Sequence, residues 1–433
     1  MSKHSMIDRR IAPRVHDVPF MPIPQVNRLV LANGIELVTL DSRDIDEVTR
    51  ITMSWQGGSL DADIAPAAEI AAQLIKTGSH KLDADAVADM LDYNGAWLNA
   101  ELIGHNNSLT LFSLNRTLDT LLAAIIDMIN EPLYPGNEFR TIRDKIAATR
   151  ATALERVATH AEALDSRQAF GPEHPMSRQY TPDSIGNITL EMAIAASKQL
   201  KGRQAPTVFV VGHLTPDVLK TVEKHLLRLE CDTDNHGIVN VVQAITAPSS
   251  TLHDEMSRAL QSAIRVTTPT INRSHPDYED VRLMTTALGG YFGSRLMTNI
   301  REEKGLTYGI SAGVYGHREG AFITINSQCD NRYVKQVITE IEHEIEKLAT
   351  VPMDKDELTA VKQTATCSML AMLDTPFSIM DYYIIQRHML TPHDYFDRQQ
   401  KAIARLTPES IRDTARRYLV DKVRLISTAG ATC

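Results

Sequence analysis

Arg301 and Tyr308 stand seven residues apart in the segment Leu288–Gly309, LGGYFGSRLMTNIREEKGLTYG, on either side of Gly305. A guanidinium is a rigid fork of donors and a phenol a single donor. Together such groups can orient a peptide carbonyl and stabilise the oxyanion formed when it is attacked. Taken by themselves, the two residues read more simply as a surface arginine and a half-buried strand tyrosine. Gly289 and Gly290 permit a tight turn, Arg295–Arg301 suits a helix, and Gly305 can end it.

Other chemistries find little support. None of the 15 histidines forms His-x-x-x-His, His-x-x-Glu-His or His-Glu-x-x-His. Glu342-His343-Glu344 reads as the solvated face of a helix and His253-Asp254-Glu255 as surface beside a linker, while His160 and Glu162, two apart, cannot share a helix face. Gly309-Ile-Ser-Ala-Gly313 spells Gly-x-Ser-x-Gly but lies in a strand-like run and offers no nucleophile elbow, and GxxxxGK[ST] and GxGxxG are absent, so serine hydrolases, nucleotide enzymes and dehydrogenases find no support. Cys231, Cys329, Cys367 and Cys433 are too dispersed for a disulfide framework or a cysteine zinc site.

These residues need positioning by a chain of 433 residues, long enough for two domains. With 43% apolar and 23% charged residues and a net charge of −9, it has a globular composition that argues against a nucleic-acid partner. No apolar run approaches the roughly 20 residues of a membrane span, and Met1–Arg14 has no apolar signal core, so no membrane partner and a cytoplasmic location are expected. Arg9, Arg10 and Arg14 leave a short transit peptide as the minor alternative.

Four prolines mark residues 1–24 as an extended arm. Asn33-Gly34 predicts a hairpin within 28–40. Helices are expected over 65–77, 83–93, 117–130 and 139–158, and strands over 108–114 and 208–212, the latter followed by a helix opening at Thr215-Pro216-Asp217. The pattern fades over 231–252, the expected linker between a first domain at 25–230 and a second at 253–433. The halves echo each other. Gly104-His105 before Leu109–Leu114 corresponds to Gly316-His317 before Ala321–Asn326, and each strand is followed by a helix in the same apolar phase. The expectation is α+β: two homologous domains, each a mostly antiparallel sheet with helices on one face.

The segment 288–309 resembles the second-domain signature of the pitrilysin/insulinase family of zinc metallopeptidases, which includes the mitochondrial processing peptidase. A glycine turn leads into Ser-Arg-Leu, then Arg-Glu, then Gly-Leu-x-Tyr. His275-Pro-Asp-Tyr278, Asn33-Gly34 and Val211–Thr215 also match in order and spacing, so the resemblance covers about residues 26–420. It implies that the chain forms half of a peptidase chamber, with Arg301 and Tyr308 facing a zinc site on another domain or subunit. It also implies that Asn99 and Ala100 lie on an edge strand that pairs with substrate backbone. Glu101-Leu102 follows where the family often has an aromatic residue and a threonine, and Asn99 as an ordinary edge residue is an equal reading.

The family's zinc motif, His-x-x-Glu-His, falls here on Glu69-Ile-Ala-Ala-Gln73. Glu69 and Gln73 take the ligand positions and Ala72 the place of the general base; near 148–150, where a third ligand is expected, the sequence is Ala-Thr-Arg. A neutral amide is a poor zinc ligand and alanine cannot carry a proton. The resemblance therefore implies no cofactor in this chain, zinc in a homologous partner carrying His-x-x-Glu-His, and peptide substrates: the non-metal subunit of a heterodimeric zinc metalloendopeptidase, inactive alone. The alternative is a non-catalytic scaffold of the same fold, similar to core subunits of the respiratory cytochrome complex. A presequence-recognising subunit is disfavoured, because Leu288–Gly293 is too short for the glycine-rich loop of that role.

Overall fold

The computed structural model describes residues 20–42, 47–202, 204–233 and 239–432. Most of the expected arm, with Arg9, Arg10 and Arg14, part of the expected linker, and Cys433 lie outside these residues. The first half contains β1 (Asn27–Val30), β2 (Glu36–Asp41), β3 (Val48–Gln56), α1 (Ala65–Leu74), α2 (Ala84–Tyr93), β4 (Trp97–Ile103), β5 (Asn106–Leu114) and α3 (Leu118–Asn130). It continues through α4 (Gly136–Ala153), α5 (Val157–Phe170), α6 (Pro182–Gly186), α7 (Leu190–Leu200), β6 (Thr207–Gly212) and α8 (Pro216–Leu226). The second contains β7 (Ser250–Glu255), β8 (Gln261–Thr270), α9 (Tyr278–Gly289), β9 (Thr307–Gly316), β10 (Ala321–Asp330), α10 (Val334–Thr350) and α11 (Lys355–Ala371). It closes with α12 (Pro376–His388), α13 (Tyr395–Arg405), α14 (Pro408–Tyr418) and β11 (Leu425–Gly430).

The strand order is β1-β2-β6-β3-β5-β4 in one sheet and β7-β11-β8-β10-β9 in the other. Leaving β1 aside, the two orders superimpose. In each sheet the first pair, β2 with β6 or β7 with β11, is parallel and every later pair is antiparallel. Gly104-His105 and Gly316-His317 fall at the same hairpin of the two sheets, and α3 and α10 follow the same strand. The fold is therefore mixed α+β with the two-sheet arrangement expected from the sequence echo.

Period-2 alternation makes these strands two-faced. On β3, Ile51, Met53 and Trp55 point into a core closed by Leu121, Leu122 and Ile125 of α3 and Val222 of α8. Each fully buried aliphatic side chain there contributes roughly 1.5–3 kcal/mol. The other face of β3 carries Arg50, Thr52 and Ser54, also buried because α12 from the second half lies across it. Arg50 Nη2 donates to Phe377 O at 3.0 Å and pairs with Asp381 at 2.7 Å, and Ser54 Oγ meets His388 Nε2 at 2.8 Å. The exchange is reciprocal. Val157 and Ala161 of α5 pack on Ala263 and Ala429 of the second sheet. Each half's own helices thus cover one sheet face, and a helix of the other half meets the opposite face. The described end of the arm clamps the halves further: Met21 exchanges two hydrogen bonds with Gln400, both 2.8 Å, and Pro24 O accepts from Tyr383 at 2.8 Å.

Two local expectations change. The helix expected over 139–158 breaks between Ala153 and Val157, where no glycine or proline marks the bend, because α5 leaves its own half for the other sheet. Ser250–Leu252, expected in the linker, begin β7 and pair with β11, a partner about 175 residues away that no local pattern could announce.

Candidate functional site

α1 needs little tertiary help to form: it is alanine-rich, free of glycine, and has Pro66 in its first turn, where a missing N–H costs nothing. Its face toward α4 presents Glu69 and Gln73, and Thr149 and Arg150 of α4 line the same cavity of about 550 Å³. The two stretches matched to the zinc-ligand positions, far apart in sequence, therefore do converge. Ala72 points elsewhere, into a small apolar pocket beside Ala100 and Leu102 of β4.

The convergent residues do not fit a zinc ion. Gln73 Nε2 donates to Ala100 O at 3.0 Å, so the amide is committed to tying α1 to β4. Arg150 brings a cation: its Nε donates to Tyr180 O at 2.8 Å and its Nη2 to Gln179 Oε1 at 2.6 Å. Glu69 is the one carboxylate on the wall, and desolvation raises its pKa although the residue stays largely open to solvent. Among the described residues no group of three His, Cys, Asp or Glu side chains is placed to hold a metal.

Asn99 and Ala100 lie on β4, an edge strand of the first sheet. Asn99 is exposed, donates to Glu101 at 3.1 Å, and lines a cleft of about 770 Å³ between the halves. Arg301 and Tyr308 line neither that cleft nor the α1–α4 cavity, so the chain does not bring all of its candidate residues together.

Around Arg301 the helix over Met297–Glu303 is a wide π turn, with Lys304 N bonded to Asn299 O at 3.1 Å and Leu306 N to Ile300 O at 3.0 Å. Such turns are frequent at functional sites. Asn299 pins it by donating to Glu340 at 3.1 Å and Glu344 at 2.8 Å. Glu344 is buried for this purpose, and does not belong to the solvated face read from Glu342–Glu344. Gly305, at φ +62°, turns the chain into β9. Gly289 serves close packing: it ends α9, and a Cβ there would fall 2.6 Å from Ala312 N. Arg301 rests its guanidinium over the Phe292 ring at 4.6 Å. Tyr308 is 90% exposed at the start of the edge strand β9, not half-buried as its strand pattern suggested. Phe292 is itself 61% exposed, so the second half offers an open donor and aromatic patch rather than a closed site.

Sequence reasoning missed a buried cluster at the first repeat's hairpin. His105 Nδ1 meets both Asp61 oxygens at 2.9 and 3.0 Å, and its Nε2 bonds Glu319 of the second half. Burial opposes protonation, but the hydrogen bonds and charges of the two carboxylates outweigh it and hold His105 up at about 9. Glu319 is pulled the other way: burial raises its pKa, yet the bond to His105 leaves it lowered. The repeated Gly-His was the available signal.

Residues 187–365 match the family model described as "Peptidase M16 inactive domain". An uncharacterized zinc protease of Mycobacterium leprae (strain TN) is 24% identical over 338 residues, which are 73% of this chain and 72% of that protein. Among solved structures, the peptidase M16 inactive domain from Pseudomonas fluorescens superposes with a TM-score of 0.84 at 20% identity, over 95% of this chain and 99% of that one. The periplasmic protease PqqL from Escherichia coli superposes with a TM-score of 0.73 at 14% identity, over 98% of this chain but 49% of that one. The resemblance to pitrilysin-type zinc peptidases is thereby borne out: the chain carries the M16 inactive-type domain on the M16 fold and fits a zinc-less subunit of that family. No helix of the described residues is long and apolar enough to cross a membrane.

Proposed function

We propose that this chain is the non-metal subunit of a two-chain zinc metalloendopeptidase. A homologous partner carries His-x-x-Glu-His and the zinc, and this chain supplies Arg301 and Tyr308 as donors to the peptide carbonyl in the partner's site. The observation that carries the reading is a contrast. The positions matched to the metal motif, Glu69, Ala72, Gln73 and the stretch 148–150, carry no ligand set, while Arg301 lies over the exposed Phe292 ring and Tyr308 is 90% exposed, neither side chain making a hydrogen bond or ion pair among the described residues. Supporting it, the chain spans 49% of PqqL, as expected if two such halves make one enzyme. Asn99 and Ala100 on the edge strand β4 are assigned to substrate backbone, peptides are the substrates, and the cytoplasm is the location.

The test is kinetic, in the reconstituted complex. Removing one oxyanion donor lowers kcat on the order of 10²-fold. Tyr308→Phe should therefore reduce turnover substantially while leaving assembly unchanged. Unchanged turnover for both Tyr308→Phe and Arg301→Ala would remove the catalytic-support role and leave the scaffold reading.

A further inference from the structure

The cavity between α1 and α4 is lined largely by positive charge. Arg150, Lys145 and Arg178 reach its wall against the single carboxylate of Glu69. Arg150 is fixed by its bonds to Tyr180 and Gln179, and its Nη1 makes no hydrogen bond among the described residues, leaving donor capacity for a ligand. Arg178 is held from behind, its Nη1 donating to Ala62 O at 2.8 Å. Lys145 has no ion-pair partner among the described residues. Lys76 lies near enough to feel it: burial first, then the charge of Lys145, lower the Lys76 pKa. An anion would relieve that like-charge crowding. The rest of the wall is apolar, with Ile142, Ile146 and Ile185, which suits an anion borne on an organic chain better than a bare inorganic ion.

We propose that this cavity is a carboxylate-binding site for peptides, in which Arg150, Lys145 and Arg178 take the anion and the isoleucines take the adjoining side chain. The guanidinium of Arg150 offers the planar donor geometry that a carboxylate matches. Its charge stands at the end of the stretch 148–150, near which the family resemblance places a metal ligand. The anion's identity as a peptide's rests on the reading of this chain as a peptide-handling subunit; the cationic pocket does not.

The experiment uses the full chain without any partner. A fluorescein-labelled pentapeptide, Gly-Ser-Ala-Val-Leu, is titrated by anisotropy as the free acid, as the C-terminal amide, and as an amide with glutamate in place of the last leucine. The free acid should bind at least tenfold more tightly than the plain amide, and Lys145→Glu and Arg150→Gln should each abolish that preference. Lys145 is exposed and has no ion-pair partner among the described residues, so its variant should fold even if loss of Arg150 loosens the 178–180 loop. Tight binding by the glutamate amide would make an acidic side chain an accepted source of the carboxylate, within the proposal. Equal affinity of acid and amide, or a preference unchanged in Lys145→Glu, would overturn it, as would inorganic phosphate binding alone with no peptide preference. Because the readout needs no partner and no turnover, failure here is distinguishable from failure of the split-enzyme reading.

Discussion

Replacing His105 by glutamine should weaken the junction between the halves, by an amount that the surroundings of His105 set. The imidazole is 5% exposed and lies between two carboxylates exposed by 2% and 3%. Raising its pKa from 6.5 to about 9 corresponds to roughly 3 kcal/mol in favour of the protonated folded state. Because the folded pKa lies above the unfolded one, this stabilisation is complete below about pH 6.5, declines as pH rises, and is gone above about 9. His105→Gln forfeits it and leaves Asp61 and Glu319 buried without their cation, a loss of about 3–5 kcal/mol. Urea unfolding of the full chain at pH 6.5 and 9.5 reads the effect. The variant should lose about 3 kcal/mol or more at pH 6.5, and the deficit should shrink at 9.5. Adding Glu319→Gln should restore part of the loss, since it removes one of the orphaned charges. A loss below about 1 kcal/mol at pH 6.5, or one equal at both pH values, would refute the reasoning.

Other outcomes follow from the same structure. His388, beside Ser54 and buried near Arg318 and Arg387, is held down at about 4, so it folds neutral; stability should fall as pH drops from 6.5 toward 4, and His388→Phe should flatten that acid limb in a Tm-versus-pH series. Gly289→Ala should lower stability by about 1–3 kcal/mol in thermal unfolding despite alanine's better helix propensity, because the new methyl meets β9 backbone at 2.6 Å. Combining Glu69→His, Ala72→Glu, Gln73→His and Arg150→Glu should confer zinc uptake, measured by metal analysis after dialysis. Failure to bind would mean that the motif was placed on the wrong residues.

What was legible in the sequence was local or repeated. Asn33-Gly34 marked the first hairpin, Thr215-Pro216 marked the cap of α8, and the doubled Gly-His marked the repeat that both sheets share. Helix periodicity puts 69 and 73 on one face, and they do share a cavity wall with Arg150. Illegible were the features made by long-range contact: the departure of α5 to the other sheet, the parallel pairing of β7 with β11, the burial of Glu344 and the His105 cluster. Each depends on a partner far along the chain, and nothing within a few residues of Ala153, Ser250 or Glu344 encodes it. Tyr308 shows the limit from the other side, since strand alternation predicts a half-buried tyrosine and only its place on an edge leaves it open.

The most direct test of the split-enzyme account is the zinc content and subunit composition of this chain purified gently from its own host. The account predicts about one zinc per two chains and a second protein of comparable mass carrying His-x-x-Glu-His. Stoichiometric zinc on this chain alone, or neither zinc nor such a partner, would contradict it.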